Sequence, residues 1–161
     1  MTKRANDRIE EIAKELNTEK LPFKIEMRQL NDLGVDIADD LQRNFKAISV
    51  CPALKWCLST VKKAKVFILV YQANERGLAI YKEEIAKKLT EYSYKTIASI
   101  IDEGIQKKYY VTLEPYENPQ IKKNVDKKVK NIRPSTELMT SFINWNIDRI
   151  AAVNDIIKKY K

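Results

Sequence analysis

Apolar residues return at helical spacing over most of the chain. Residues 4–16 place Ile9, Ile12, Ala13 and Leu16 on one face and predict a short amphipathic helix. Residues 17–23 interrupt it, with Pro22 among them. A second helix is predicted over 35–48, where Ile37, Ala38, Leu41, Phe45 and Ile48 fall in phase. Ser49-Val50-Cys51-Pro52 marks a boundary, because proline disfavours the helical state of the residue before it. Pro52 suits the first turn of a following helix. The most apolar stretch, 59–72, predicts a helix in the middle of a core. Val61, Ala64, Phe67, Ile68 and Tyr71 fill one of its faces, and Val66, Leu69 and Val70 widen it. Residues 66–71 alone also read as a buried strand. Helix is the better reading because the period extends back through Val61 with no turn signal between. Residues 74–77 form a polar turn.

Two short helices with a brief break follow. Residues 80–89 turn Ile85, Ala86 and Leu89 inward, and 94–105 bury Ile97, Ile100, Ile101 and Ile105. Thr90-Glu91-Tyr92-Ser93 separates them, and Ser93 has the chemistry of an N-cap. This is the sequence shape of a helix-turn-helix. Residues 109–113 then switch to β-forming side chains. A polar stretch over 114–126 contains Pro115 and Pro119, and 127–133 alternates so that it can pair back as a second strand. Helix-turn-helix plus basic hairpin predicts a mainly α fold with a small β-hairpin wing, a winged helix-turn-helix. A closing helix is predicted over 136–160, capped by Ser135 or Thr136. Along it Ile143, Ile150 and Ile157 recur every seven residues, as do Met139, Asn146, Val153 and Tyr160. So wide a stripe exceeds what one small domain covers, which suggests a helix–helix dimer. Asn146 either sets register at an otherwise apolar position or lies exposed.

The chain has 161 residues, enough for a single domain: flanking helices over 1–58, a winged helix over 59–135 and a dimerisation helix over 136–161. No apolar run reaches about 18 residues, so no membrane span is expected. The N-terminal residues carry acidic groups and no apolar h-region, unlike a signal peptide. Two Cys and a framework without disulfides read as cytoplasmic. Absence of His removes the commonest general base and metal ligand. Neither a GxGxxG nor a GxxxxGK[ST] pattern occurs, so no nucleotide loop, cofactor or metal is expected. The acidic pairs Glu10-Glu11 and Asp39-Asp40 look solvated, which argues against a metal-dependent nuclease and against an enzyme generally. Charge is local. Of the net +8, residues 107–133 hold eight basic and three acidic side chains. That is the footprint of a polyanion binder, or else a solvated Lys-rich loop.

Three stretches carry a family likeness. Ile85-Ala86-Lys87-Lys88-Leu89 is similar to the LA-x-x-L second helix of the MarR (multiple antibiotic resistance regulator) family. Thr96-Ile97-Ala98-Ser99-Ile100-Ile101-Asp102 resembles its recognition helix, and Asp126-Lys127-Lys128 with Ile132-Arg133 its wing tip and following strand. The resemblance covers residues 59–140. Departures are Gly104 where the family has a core Leu, Lys128 for the wing Arg, a missing glycine near Lys108, and a long loop before Asp126.

The resemblance implies a homodimeric transcriptional regulator of double-stranded DNA. Ser93, Tyr94, Lys95, Thr96 and Ser99 would face the major groove. Lys122, Lys123, Lys127, Lys128 and Arg133 would lie on the backbone or in the minor groove. Ile9, Ile12, Leu16, Ile143, Ile150, Val153 and Ile157 would form the dimer seam. Two recognition helices roughly 34 Å apart would read an inverted repeat. Tyr94 alternatively packs on the preceding helix, and Thr96 alternatively back-bonds as a surface hydroxyl. A small-molecule effector pocket is implied by resemblance, with Trp56, Trp145, Phe142 and Tyr71 as lining or as ordinary core. Cys51 and Cys57 read as structural rather than as a redox switch. A protein–protein winged helix and an RNA binder stand as the other function classes.

Overall fold

The structure, a computed structural model, describes residues 3–78, 80–113 and 131–161, with the side chains of residues 3–6 and 9 left outside that description. It is mainly helical, with one small two-stranded antiparallel sheet. Its packing divides into two units, Ile48–Asn144 and a second made of Met1–Ala47 with Trp145–Lys161.

The Ile48–Asn144 unit holds α3 (Pro52–Cys57), α4 (Val61–Glu75), α5 (Lys82–Lys88), α6 (Tyr94–Gln106), β1 (Tyr110–Leu113) and β2 (Asn131–Pro134). The first turns of α7 (Thr136–Tyr160) complete it. Pro52 opens α3 as its first-turn chemistry requires. Thr60 caps α4, its hydroxyl accepting from the Lys63 amide at 3.2 Å. The stretch 66–71 is therefore helix, and Val66, Phe67 and Val70 are fully buried at the centre of the unit. Ile85, Ile97, Ile101, Tyr110, Ile132 and Leu138 close around them. The β1–β2 register sets Tyr110 opposite Pro134 and Leu113 opposite Asn131. Pro134 ends its strand, where a missing donor costs nothing in the ladder.

Ile80 is tied to the start of β2 by two hydrogen bonds. Its carbonyl accepts from the Ile132 amide at 2.9 Å, and its own amide donates to the Asn131 side chain at 2.8 Å. Asn131 is buried, and this bond gives its carbonyl oxygen a partner.

Both α4 and α6 end in the same paired-bond turn. The Leu78 amide reaches the Ala73 carbonyl and the Gly77 amide that of Asn74. In α6 the Tyr109 amide reaches Gly104 and that of Lys108 reaches Ile105. The residue in the left-handed position is Gly77 in the first (φ 65) and Lys108 in the second (φ 63). A side chain thus stands where the family pattern places glycine. Gly104, one turn earlier, has the opposite logic. A Cβ there would come within 2.9 Å of the Trp56 ring and overlap that of Tyr110. The Leu of the family pattern has no room, because these two rings already fill its place.

The other unit contains α1 (Lys3–Glu15), α2 (Leu30–Val50) and the remainder of α7. Phe23 stacks on Tyr160 at 5.5 Å between ring centres. Asp36 of α2 accepts from Lys159 at 2.8 Å and Tyr160 at 2.7 Å, and these bonds hold its carboxyl below the usual carboxylate range. Leu33 is the one described hydrophobic residue of this unit that is buried.

Lys108 gives a direct stability test. A non-glycine residue in the left-handed region costs roughly 1–2 kcal/mol, and glycine returns part of that as unfolded-state entropy. Lys108→Gly is expected to stabilise the protein by about 0.5–1 kcal/mol. The measurement is the urea midpoint at unchanged slope. A lower midpoint would show that Lys108 makes a contact worth more than the backbone strain.

Candidate nucleic-acid interface

The segment from α5 to α6 is shaped by its polar breaks. Leu89 ends α5 and Ser93 opens α6, its hydroxyl accepting from the Thr96 amide at 3.1 Å. Within α6, Ile97, Ile100, Ile101 and Gly104 are buried. The period then leaves Lys95, Ser99, Asp102 and Gln106 along the solvent side, all four exposed. Ser93 and Tyr94 are exposed at the same helix start.

Not every expected contact residue has a free hand. Thr96 is half-buried, and its hydroxyl lies 3.0 Å from that of Ser93, so it is engaged within the cap. Tyr94 is 49% exposed, and its hydroxyl donates to Glu83 of α5 at 3.2 Å. Both readings of Tyr94 therefore have an element in the structure: a tether to the preceding helix and an accessible ring. Arg133 is half-exposed in β2, opposite Val111 of β1. Lys122, Lys123, Lys127 and Lys128 lie outside the described residues.

Ion pairs tie the neighbourhood together. Lys82 reaches Asp102 at 2.6 Å, linking the start of α5 to the solvent stripe of α6. Lys65 reaches Glu91 at 2.7 Å. That bond raises the lysine's pKa and lowers the carboxylate's. Lys62 and Lys65 sit 5.8 and 5.7 Å from the Tyr92 ring centre, within cation–π range. Lys87 and Lys88 are exposed at the end of α5. The charge pattern of the sequence singled out none of Lys62, Lys65, Lys87 or Lys88, because all four lie outside the 107–133 stretch that holds most of the excess.

The expected dimer seam is largely at the surface. Ile12, Leu16, Ile143, Ile150 and Val153 are exposed, and Ile157 is half-buried. The Ile9 side chain lies outside the description. Ile150, Val153 and Ile157 line one groove along α7 with Asn146, Arg149 and Asn154. Sequence reasoning placed a helix here but did not count the apolar face of α2 among the expected seam residues. Ile37, Leu41 and Phe45 occupy one face at successive turns, and Phe45 is 69% exposed.

The aromatic residues considered as pocket lining fall into separate clusters. Trp56 packs edge-on to Tyr110 at 5.7 Å. Phe142 packs on Phe67 at 5.0 Å and on Tyr71 at 4.9 Å. Trp145 lies under Arg149 at 4.9 Å. Among the described residues, no group of three or more His, Cys, Asp or Glu side chains could hold a metal ion, and no helix is long and apolar enough to cross a membrane. Compared with protein-family models, curated proteins and solved structures, the chain matches none.

The two cysteines differ in kind. Cys57 is fully buried, with its thiol donating to the Leu54 carbonyl at 3.6 Å. Burial, reinforced by Cys51, pushes its pKa up to about 12. Cys51 is half-buried at the start of α3. Only the thiolate reacts with an alkylating agent. The folded protein at pH 8 is therefore expected to take one iodoacetamide adduct, at Cys51, and the urea-unfolded protein two. Peptide mass spectrometry reads the sites, and prompt labelling of Cys57 in the folded state would overturn this ordering.

Proposed function

We propose that this chain is a MarR-like winged-helix regulator that binds double-stranded DNA as a homodimer. The carrying observation is the setting of α6: its apolar side is buried, and Ser93, Tyr94, Lys95 and Ser99 stand exposed at its N-terminal end. A helix held in this way is free to enter a major groove, which exposes a distinct donor and acceptor pattern for each base pair. Supporting it, the link between α4 and α5 is tied to the start of β2 by two hydrogen bonds at Ile80, beside the two-stranded β1–β2 sheet. A link ahead of the helix-turn-helix that is fastened to the hairpin is the arrangement a winged helix uses.

Charge supports the same reading. The Ile48–Asn144 unit carries 17 basic and ten acidic side chains, net +7, while the other unit carries 13 and 12. The polyanion-binding capacity belongs to the unit that holds α6. The near-neutral unit instead exposes apolar faces on α1, α2 and α7 and buries Leu33 alone among its described hydrophobic residues. Helices that bury so little gain little from packing and need a partner surface. A second copy of the chain supplies one with matching heptad spacing along α7.

Two experiments test the proposal. Selection from a random duplex library is expected to enrich an inverted repeat. Binding to it should fall with a log–log salt slope of about −0.9 per neutralised phosphate, so roughly −5 to −7 for a dimer with three or four contacts per protomer. Replacing Lys95, Lys127 and Lys128 together by Ala should abolish selection with the fold intact by circular dichroism. Affinity flat in salt would overturn the reading. Sedimentation velocity at micromolar concentration should give a dimer for the wild type and a monomer for Ile150→Asp/Val153→Asp. A wild-type monomer would remove the dimer and the inverted repeat with it.

A further inference from the structure

The last turn of α6 is held by a bond that the helix's apolar packing does not need. Trp56 of α3 donates its indole N–H to Glu103 Oε1 at 2.7 Å. Lys63 of α4 lies 3.5 Å from the same oxygen and 5.0 Å from the centre of the Trp56 ring. Trp56 is itself buried and wedged by Tyr109 and Tyr110, at 5.5 and 5.7 Å between centres. The indole therefore has little freedom to follow Glu103 if α6 turns. At the adjacent Gly104 both the Tyr110 and Trp56 rings occupy the space a Cβ would take, which leaves room for the indole beside Glu103.

Apolar contact is non-directional, so Ile97, Ile100 and Ile101 set how deeply α6 sits better than they set its roll. A short hydrogen bond to a carboxylate is directional and about twice as strong as a neutral one. Glu103 lies eight residues beyond Lys95, about 12 Å along the axis. Because a helix is stiff over that length, the roll fixed at Glu103 is the roll of the exposed N-terminal residues. Asp102, one position earlier, is held from the other side by Lys82. The turn is thus clamped between α5 on one flank and α3 with α4 on the other.

We propose that Trp56 and Glu103 are positioning residues for DNA recognition: the indole–carboxylate bond sets the roll of α6 and so the angle at which Ser93, Lys95 and Ser99 meet a duplex. This rests on the DNA-binding reading and adds to it. Neither residue touches the nucleic acid. They govern discrimination between duplexes rather than attraction to phosphate, because the lysines that supply attraction are elsewhere.

The test uses the full chain and two duplexes, the one selected by the wild type and a shuffled duplex of the same composition. The readout is the ratio of their affinities at one salt concentration, with the salt slope measured for each variant. Glu103→Leu and Trp56→Phe are expected to lower the ratio about tenfold, the equivalent of one well-placed base contact, with the slope unchanged. Glu103→Gln keeps an oxygen for the indole and is expected to retain the wild-type ratio. Should Glu103→Leu fail to fold, Trp56→Phe, which keeps a ring in the core, carries the test. An unchanged ratio in the Phe variant overturns the positioning role while leaving DNA binding in place. A Gln variant as impaired as the Leu variant overturns it too, since charge rather than the indole bond would then hold the helix. A wild type that selects no duplex removes the DNA-binding reading and this inference together.

Discussion

The cationic unit depends on how one residue, Ile80, satisfies its backbone. Ile80 is almost fully buried, so an unpaired amide or carbonyl there would cost on the order of 1–3 kcal/mol each. Both are paired, and both partners lie at the start of β2. The link between α4 and α5 is thereby fastened to the hairpin, although some fifty residues separate them in sequence. The turn after α4 prepares this. Gly77 reverses the chain in the left-handed conformation, which delivers Ile80 alongside the strand. From there α5 begins, and the break at 89–93 sets α6. The exposed face of α6 is therefore downstream of a two-bond junction made by a buried asparagine and one isoleucine.

Two departures from the MarR-like pattern and one buried ring meet in a small volume around the end of α6. Gly104 is empty where a Leu is expected, Lys108 is strained where a glycine is expected, and Tyr110 begins β1 fully buried. They are one arrangement. The Tyr110 ring takes the space that Gly104 vacates, and Trp56 closes its edge. Burial raises the Tyr110 hydroxyl well above its usual pKa, so the ring stays neutral in the core. The chain must then leave α6 by a tight turn to bring residue 110 back over residue 104, and Lys108 accepts the left-handed position to do it.

Most of the helical architecture was legible in the sequence, because a helix with one buried face advertises itself every 3.6 residues. The closing helix over 136–160 and the Ser93 cap stand as read. The ambiguous stretch 66–71 is helix, since the Thr60 cap starts α4 before it. Other features left no periodic trace. A junction made at a single residue has no period, so Ile80 passed as the start of a helix that in fact begins at Lys82. The Trp56–Glu103 bond spans 47 residues and joins two types that are each common on amphipathic helices. For α2 the pattern was right and its destination open: an apolar stripe records that a face is covered, not whether the cover is the chain's own core. The exposure of Ile37, Leu41 and Phe45 supplies what the spacing alone does not.

On the proposed reading, the division of charge and apolar surface between the two units bears on how a DNA-binding chain of this size works. Gathering 17 basic side chains into one short unit raises self-repulsion, and burial of a compact core must offset it. That unit has such a core, in Phe67, Val66, Val70, Ile85, Ile97, Ile101 and Tyr110. The near-neutral unit has the opposite problem, with ample apolar surface and only Leu33 buried among its described hydrophobic residues. On the proposed reading, pairing through the near-neutral unit covers that apolar surface. Phosphate would then provide the countercharge for the other unit. On the proposed reading, dimerisation and DNA binding are thus assigned to different parts of the chain by the same electrostatic requirement.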